Sequence, residues 1–237
     1  MSEDKKMVFY DARKVIEELK SLSDRRGSGD HEEARGRRQE LGVPIGKIKE
    51  LAKKIRTNHE LAKDLWKENF LETRLLATMI MDSRLVKPID IPRILEGEKD
   101  IRVIDAFTSK VASHMVGKNQ FVDDYMDGDD KFLARAAYNL IWYNVSEKAY
   151  DAREISYLLE KIRKEMKFEP REKMAAMNRT LVEIGVHYDE FTELAVATGE
   201  EIGRIDKSPV PEGCISTYAP EWIEEARRQR EEDLVHP

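Results

Sequence analysis

The chain has few of the residues that interrupt helices, and almost none that staple or anchor a protein. Its 237 residues include 12 glycines, 8 prolines and a single cysteine, Cys214. One thiol excludes an intramolecular disulfide and any thiolate zinc cluster within one chain, and it fits a reduced, cytoplasmic setting. No apolar run approaches the roughly 20 residues that cross a bilayer, and the opening stretch MSEDKKMVFYDARK lacks the apolar core of a secretion signal, so no membrane partner is expected. The phosphate-binding patterns GxxxxGK[ST] and GxGxxG are missing, as is the nucleophile pattern GxSxG. The five histidines, His31, His59, His114, His187 and His236, are never spaced four apart and none neighbours Cys214, so neither a metal nor a cofactor is expected. His114 reads as a buried hydrogen-bonding residue and His187 as a structural cap.

Charge is abundant. Charged residues make up 37% of the chain and the net charge is −6. This balance suits long amphipathic helices and argues against indiscriminate nucleic-acid binding, although a local basic face can still steer an anionic partner. Such a face is present in VPIGKIKELAKKI, residues 43–55. Ile45, Ile48, Leu51, Ala52 and Ile55 follow a helical period, while Lys47, Lys49, Lys53, Lys54 and Arg56 fill the remaining arc. Pro44 opens this helix, and Thr57 to Glu60 matches a capping box for the next.

No segment alternates apolar and polar residues with a period of two, so the expected fold is all-α. RLLATMI from Arg74 and RAAYNLI from Arg135 share a pattern, and residues 174–184 form a looser third copy. This recurrence predicts a HEAT-like solenoid of helix pairs (an α-α superhelix), with a globular helix bundle as the rival. The whole of 1–237 is expected as one repeat domain, with an N-terminal helix at 8–22, a flexible loop at 23–42 and a frayed tail at 231–237. On a solenoid, Lys47, Lys53, Lys54, Arg74 and Arg135 are candidates for phosphate contact. Arg135 opens a strongly apolar helix, and an ion pair with Asp129, Asp130 or another acid is the competing role. Tyr138, Trp142 and Tyr143 share that helix and read as core rather than as a base-stacking platform.

The ordered segments VPIGKIKELAKKI, NHELAKDLWKENFLETRLLATMI, FLARAAYNLIWYNV, MNRTLVEIGVHYDEF and GEEIGRIDKSPVPEGCISTYAPEWIEEA together resemble the DNA alkylation repair family of AlkD-like HEAT-repeat proteins, from about Gly42 to Arg228. The resemblance implies a curved array of HEAT-like helix pairs with a positive concave face that holds double-stranded DNA, damaged or branched. Its glycosylase members excise cationic N-alkylated purines without flipping the base, using two tryptophans, an aspartate and an arginine. Laid on this chain, those positions fall at Ile104, Thr108, Arg179 and Arg135, so only the arginine, Arg135, is kept. Asp105 is the nearest stand-in for the missing acid, and Arg179 joins the DNA-binding candidates. Base excision is therefore an open expectation. The alternatives are a non-catalytic binder of branched or damaged DNA and a solenoid that binds protein partners.

Overall fold

The computed structural model describes residues 10–23, 39–205 and 217–235, and these are helical with no strand among them. The chain divides into two compact units, Met1–Lys118 and Asn119–Pro237, where the sequence suggests a single repeat domain. Local division of this kind follows when each helix pair packs mainly on its sequence neighbours.

The first unit contains α1 (Ala12–Ser21), α2 (Ile45–Ile55), α3 (His59–Lys67), α4 (Leu71–Ile80), the short α5 (Ile91–Ile94) and α6 (Ile101–Lys110). α4 is its centre and packs against α2, α3 and α6. Leu65, Leu76, Ile80, Ile104 and Phe107 are fully buried there, and each such side chain contributes roughly 1.5–3 kcal/mol. Helix starts follow side-chain caps. Asn58 accepts from the Leu61 amide at 3.2 Å, one residue later than the capping box predicts. Asp100 accepts from the Arg102 amide at 3.0 Å and starts α6. That helix ends at Lys110 and is followed by a 3-10 turn, Ala112–His114. His114 is exposed on this turn rather than buried.

Across the unit boundary comes α7 (Lys118–Tyr125), then α8 (Lys131–Ser146), α9 (Ala152–Glu165), α10 (Arg171–His187), α11 (Thr192–Ile202) and α12 (Ala219–Val235). α10 is the centre of the second unit and packs against α8, α9, α11 and α12. α8 starts at Asp130, which accepts from the Phe132 and Leu133 amides at 2.8 and 3.1 Å. α9 begins in a reciprocal capping box formed by Asp151 and Glu154. Two glycines let α12 approach closely. A Cβ on Gly185 would lie 2.7 Å from Ile223, and one on Gly199 would lie 2.8 Å from Pro220.

Two boundary expectations change. Of the loop expected at 23–42, residues 24–38 lie outside the described residues, but its end is fastened rather than flexible. The buried Glu72 carboxylate accepts from the amides of Leu41, Gly42 and Val43 at 2.9, 2.8 and 3.2 Å, and Gln39 bridges to Phe70. In the tail expected to fray, helix continues to Val235, with Arg228 bonding both Glu225 and Glu232 along it. The described part of the N-terminal helix runs from Ala12 to Ser21.

Candidate nucleic-acid interface

The lysines of α2 do not act as one group. Lys47 and Lys54 are seven residues apart and share a side of the helix. Lys47 pairs with Glu50 at 3.2 Å, and Lys54 pairs with Glu18 of α1 at 3.6 Å. Lys49 and Lys53 are four apart, and Lys49 points about 200° away from Lys47. They are exposed and have no carboxylate partner among the described residues. Exposed pairs such as Lys47–Glu50 are held by only about 0–1 kcal/mol. The lysines therefore differ chiefly in direction, and only weakly in availability.

Lys49 stands on the rim of a trough of about 490 Å³ between α2, α4 and α6. Its floor is apolar, with Ile48, Leu75, Met79 and Ala106, and Ile45 is half exposed at its edge. Arg102 and Lys110 from α6 complete a cationic rim, at the four-residue spacing of Arg102, Ala106 and Lys110. Arg102 is held by Asp100 at 2.6 Å and by Glu40 at 2.7 Å. Lys110 is exposed, with no carboxylate partner among the described residues. Sequence reading picked out Lys53 but not this trough. The signal was present in the i, i+4, i+8 run on α6, but its meaning depends on which helices pack beside it.

The two repeat-opening arginines are internal ties. Arg74 pairs at 3.0 Å with Glu98, whose side chain is 1% exposed, and its guanidinium lies over the Trp66 ring at 4.8 Å. Glu98 also accepts from the Lys99 and Asp100 amides at 3.0 Å each. Separating a buried pair of this kind costs about 3–5 kcal/mol, far more than a surface phosphate contact returns. Arg74 is thus committed to a tie within the first unit. Arg135 is 9% exposed and donates from Nη1 to the Glu172 carbonyl at 2.9 Å, joining α8 to the first turn of α10. Burial pushes the Glu172 carboxyl upward, but the hydrogen bond from Lys131 and the Arg135 charge prevail, leaving it below its ordinary value. One partner of Arg135 is therefore a main-chain oxygen, in addition to any carboxylate.

Arg179 is different. Its guanidinium lies over two indoles, 4.9 Å from the Trp142 ring on α8 and 5.0 Å from the Trp222 ring on α12. Nε donates to Glu183 Oε1 at 2.6 Å, and His187 Nε2 stands 3.1 Å from the other Glu183 oxygen. Burial lowers the His187 pKa despite this carboxylate, with Arg230 and Lys148 pushing the same way. Tyr138 is fully buried, as expected of core. Trp142 and Tyr143, expected as core too, are only half buried and stack on each other with centroids 3.8 Å apart. Their exposed edge and the 179–183–187 spacing mark a cluster that hydrophobicity alone does not separate from core.

A family model described as DNA alkylation repair enzyme matches residues 15–223. The chain belongs to the DNA alkylation repair enzyme family. A solved structure described as belonging to "a new family of proteins related to the HEAT-like repeat DNA glycosylases with affinity for branched DNA structures" shares its fold, with a TM-score of 0.79. The two are 22% identical, and the match covers 93% of this chain and 95% of that one. The all-α, HEAT-like expectation is borne out by this likeness. No curated protein matches the sequence.

Within this family frame, α6 does not display an acid where the resemblance would put one. Ile104 is fully buried and Thr108 is 1% exposed, with the Thr108 hydroxyl donating to the Ile104 carbonyl at 2.5 Å. Both point into the core, and neither ionises. Asp105 lies on the half-buried side of the same helix, next to Ala106 of the trough.

Proposed function

We propose that this family member binds double-stranded DNA through its sugar–phosphate backbone, and that it does so without the alkylpurine excision of the glycosylases. One observation carries the reading. On a chain with net charge −6, the exposed Lys49 and Lys110 stand on the rim of one trough, and Lys53 lies one turn along α2 from Lys49, all without carboxylate partners among the described residues. Such a local field attracts a polyanion irrespective of base sequence. The affinity for branched DNA attributed to the structural neighbour makes branched duplexes the first ligands to try, alongside alkylated duplex. Lys53 and Lys49 are the principal contacts of the first unit, Lys47 and Lys54 secondary ones. Arg74 and Arg135 hold helices rather than DNA. The single cysteine favours a reducing, cytoplasmic setting.

Fluorescence anisotropy with a four-way junction and a linear duplex tests this. Binding should weaken steeply as salt rises. Binding that ignores salt, or none at low salt, contradicts it and favours a protein partner instead. Excision is tested separately by release of methylated purine from alkylated duplex at stoichiometric protein. Release that Asp105→Asn abolishes would establish Asp105 as the working carboxylate and overturn the non-catalytic reading.

A further inference from the structure

We propose that Arg179 is a fixed receptor for a single phosphate of the DNA backbone, at a position where the resemblance gives the glycosylases a tryptophan. The inference rests on the DNA-binding reading above and adds a defined contact in the second unit. The guanidinium lies over both the Trp142 and the Trp222 rings, which limits the room it has to turn. The Nε hydrogen is taken by Glu183, which is 8% exposed, so the fork can turn only with the loss of a buried charge-assisted bond. What remains is the outer edge. Nη1 and Nη2 have no acceptor among the described residues, and the side chain is 41% exposed. Two parallel N–H donors in a plane fixed beforehand match a phosphate bidentately, and a lysine in the same place offers only a point charge. A purely structural tie would turn both terminal nitrogens inward, as Arg135 turns Nη1 to a carbonyl. Trp142, Trp222 and Glu183 are accordingly positioning residues that act through Arg179. The cluster puts a charged fork for the backbone where the resemblance gives the glycosylases an indole. It therefore sets the register of DNA and recognises no lesion.

The test uses the full chain and a four-way junction, with anisotropy read across a salt series. Arg179→Ala should weaken binding roughly tenfold and reduce the steepness of the log–log salt dependence by about 0.9, one phosphate. Arg179→Lys should restore the steepness but not the affinity. Junctions carrying one neutral methylphosphonate at a time should reveal a linkage whose neutralisation weakens wild-type binding but not Arg179→Ala further. Glu183→Gln should weaken that same linkage's effect while the salt dependence stays as in wild type. If Arg179→Ala does not fold, Arg179→Met, which keeps an unbranched stem beside the indoles without the charge, carries the test: loss of the methylphosphonate response together with the drop of about 0.9 in steepness supports the receptor. Wild-type affinity in Arg179→Lys, or an unchanged methylphosphonate pattern in Arg179→Ala or Arg179→Met, overturns it while leaving DNA binding intact. Failure of the wild-type chain to bind any duplex at low salt overturns the DNA reading, and this inference with it.

Discussion

Along α2 the lysines are exposed, and Lys47 and Lys54 are held only by the weak surface pairs with Glu50 and Glu18. On α10 one arginine is flanked by two indoles and a carboxylate drawn from α8, α12 and its own helix. The first arrangement suits attraction without register, since a mobile ammonium can follow a phosphate wherever the backbone lies. The second suits register without much added attraction, because Glu183 offsets most of the charge at distance. A third use of positive charge, in Arg74 and Arg135, serves neither purpose. There the guanidinium is turned inward, and its partners hold helices together. Exposure and the direction of the donors separate these roles, whereas residue type does not.

The sharpest way to break this comparison is to remove the partner of a tying arginine. Glu98→Ala leaves Arg74 buried without its carboxylate and should cost about 3–5 kcal/mol in urea unfolding. DNA affinity per folded molecule should stay unchanged. A stable Glu98→Ala protein with altered DNA binding would move Arg74 into the interface. Next in size is Thr108→Asp, which supplies an acid at the family position but buries it in the core of α6. We expect a loss of stability of several kcal/mol, as for a buried unpaired carboxyl, and no gain of methylpurine release. Gain of excision in a folded variant would show that this side of α6 faces DNA.

Charge reversal on α2 sharpens the contrast at lower energy. Lys49→Glu with Lys53→Glu should weaken junction binding by roughly tenfold or more at low salt. Lys47→Glu with Lys54→Glu, on the opposite side of the helix, should have the smaller effect. Equal losses from the two pairs would mean that direction along α2 is irrelevant. The smallest expected effect concerns His187. Its folded pKa lies below the ordinary 6.5 because burial disfavours the imidazolium. The unfolded chain therefore binds the proton more readily, so stability is fully present above about pH 6.5 and declines as pH falls through the lower folded value. His187→Gln should flatten that decline, and an unchanged acid limb would assign it to other groups.

Much of this architecture could be read from local chemistry. Apolar periodicity, Pro44 and the Thr57–Glu60 box place helix starts to within a residue, because caps and first turns depend on near neighbours. The repeated R-x-x-A and R-A-A openings of α4 and α8 also show in sequence. Their meaning does not, since Glu98 and the Glu172 carbonyl lie 24 and 37 residues away from the arginines they hold. Glu72 gives a similar lesson, for its three amide partners lie 29 to 31 residues upstream in a stretch that composition alone marks as loop. Lys110 and Arg102 gain significance only when α6 packs beside α4, and Trp222 only when α12 crosses α10 at Gly185. Residue-by-residue transfer from the family singles out Arg179 as a departure from the pattern. It could not foresee the two indoles around it.

The most direct test of DNA binding as the chain's activity is the salt dependence of wild-type affinity for a four-way junction. Contacts from Lys49, Lys53, Lys110 and Arg179 predict that log affinity falls with log salt with a slope of about −3 to −4. A slope near zero, or no binding at low salt, would contradict the account.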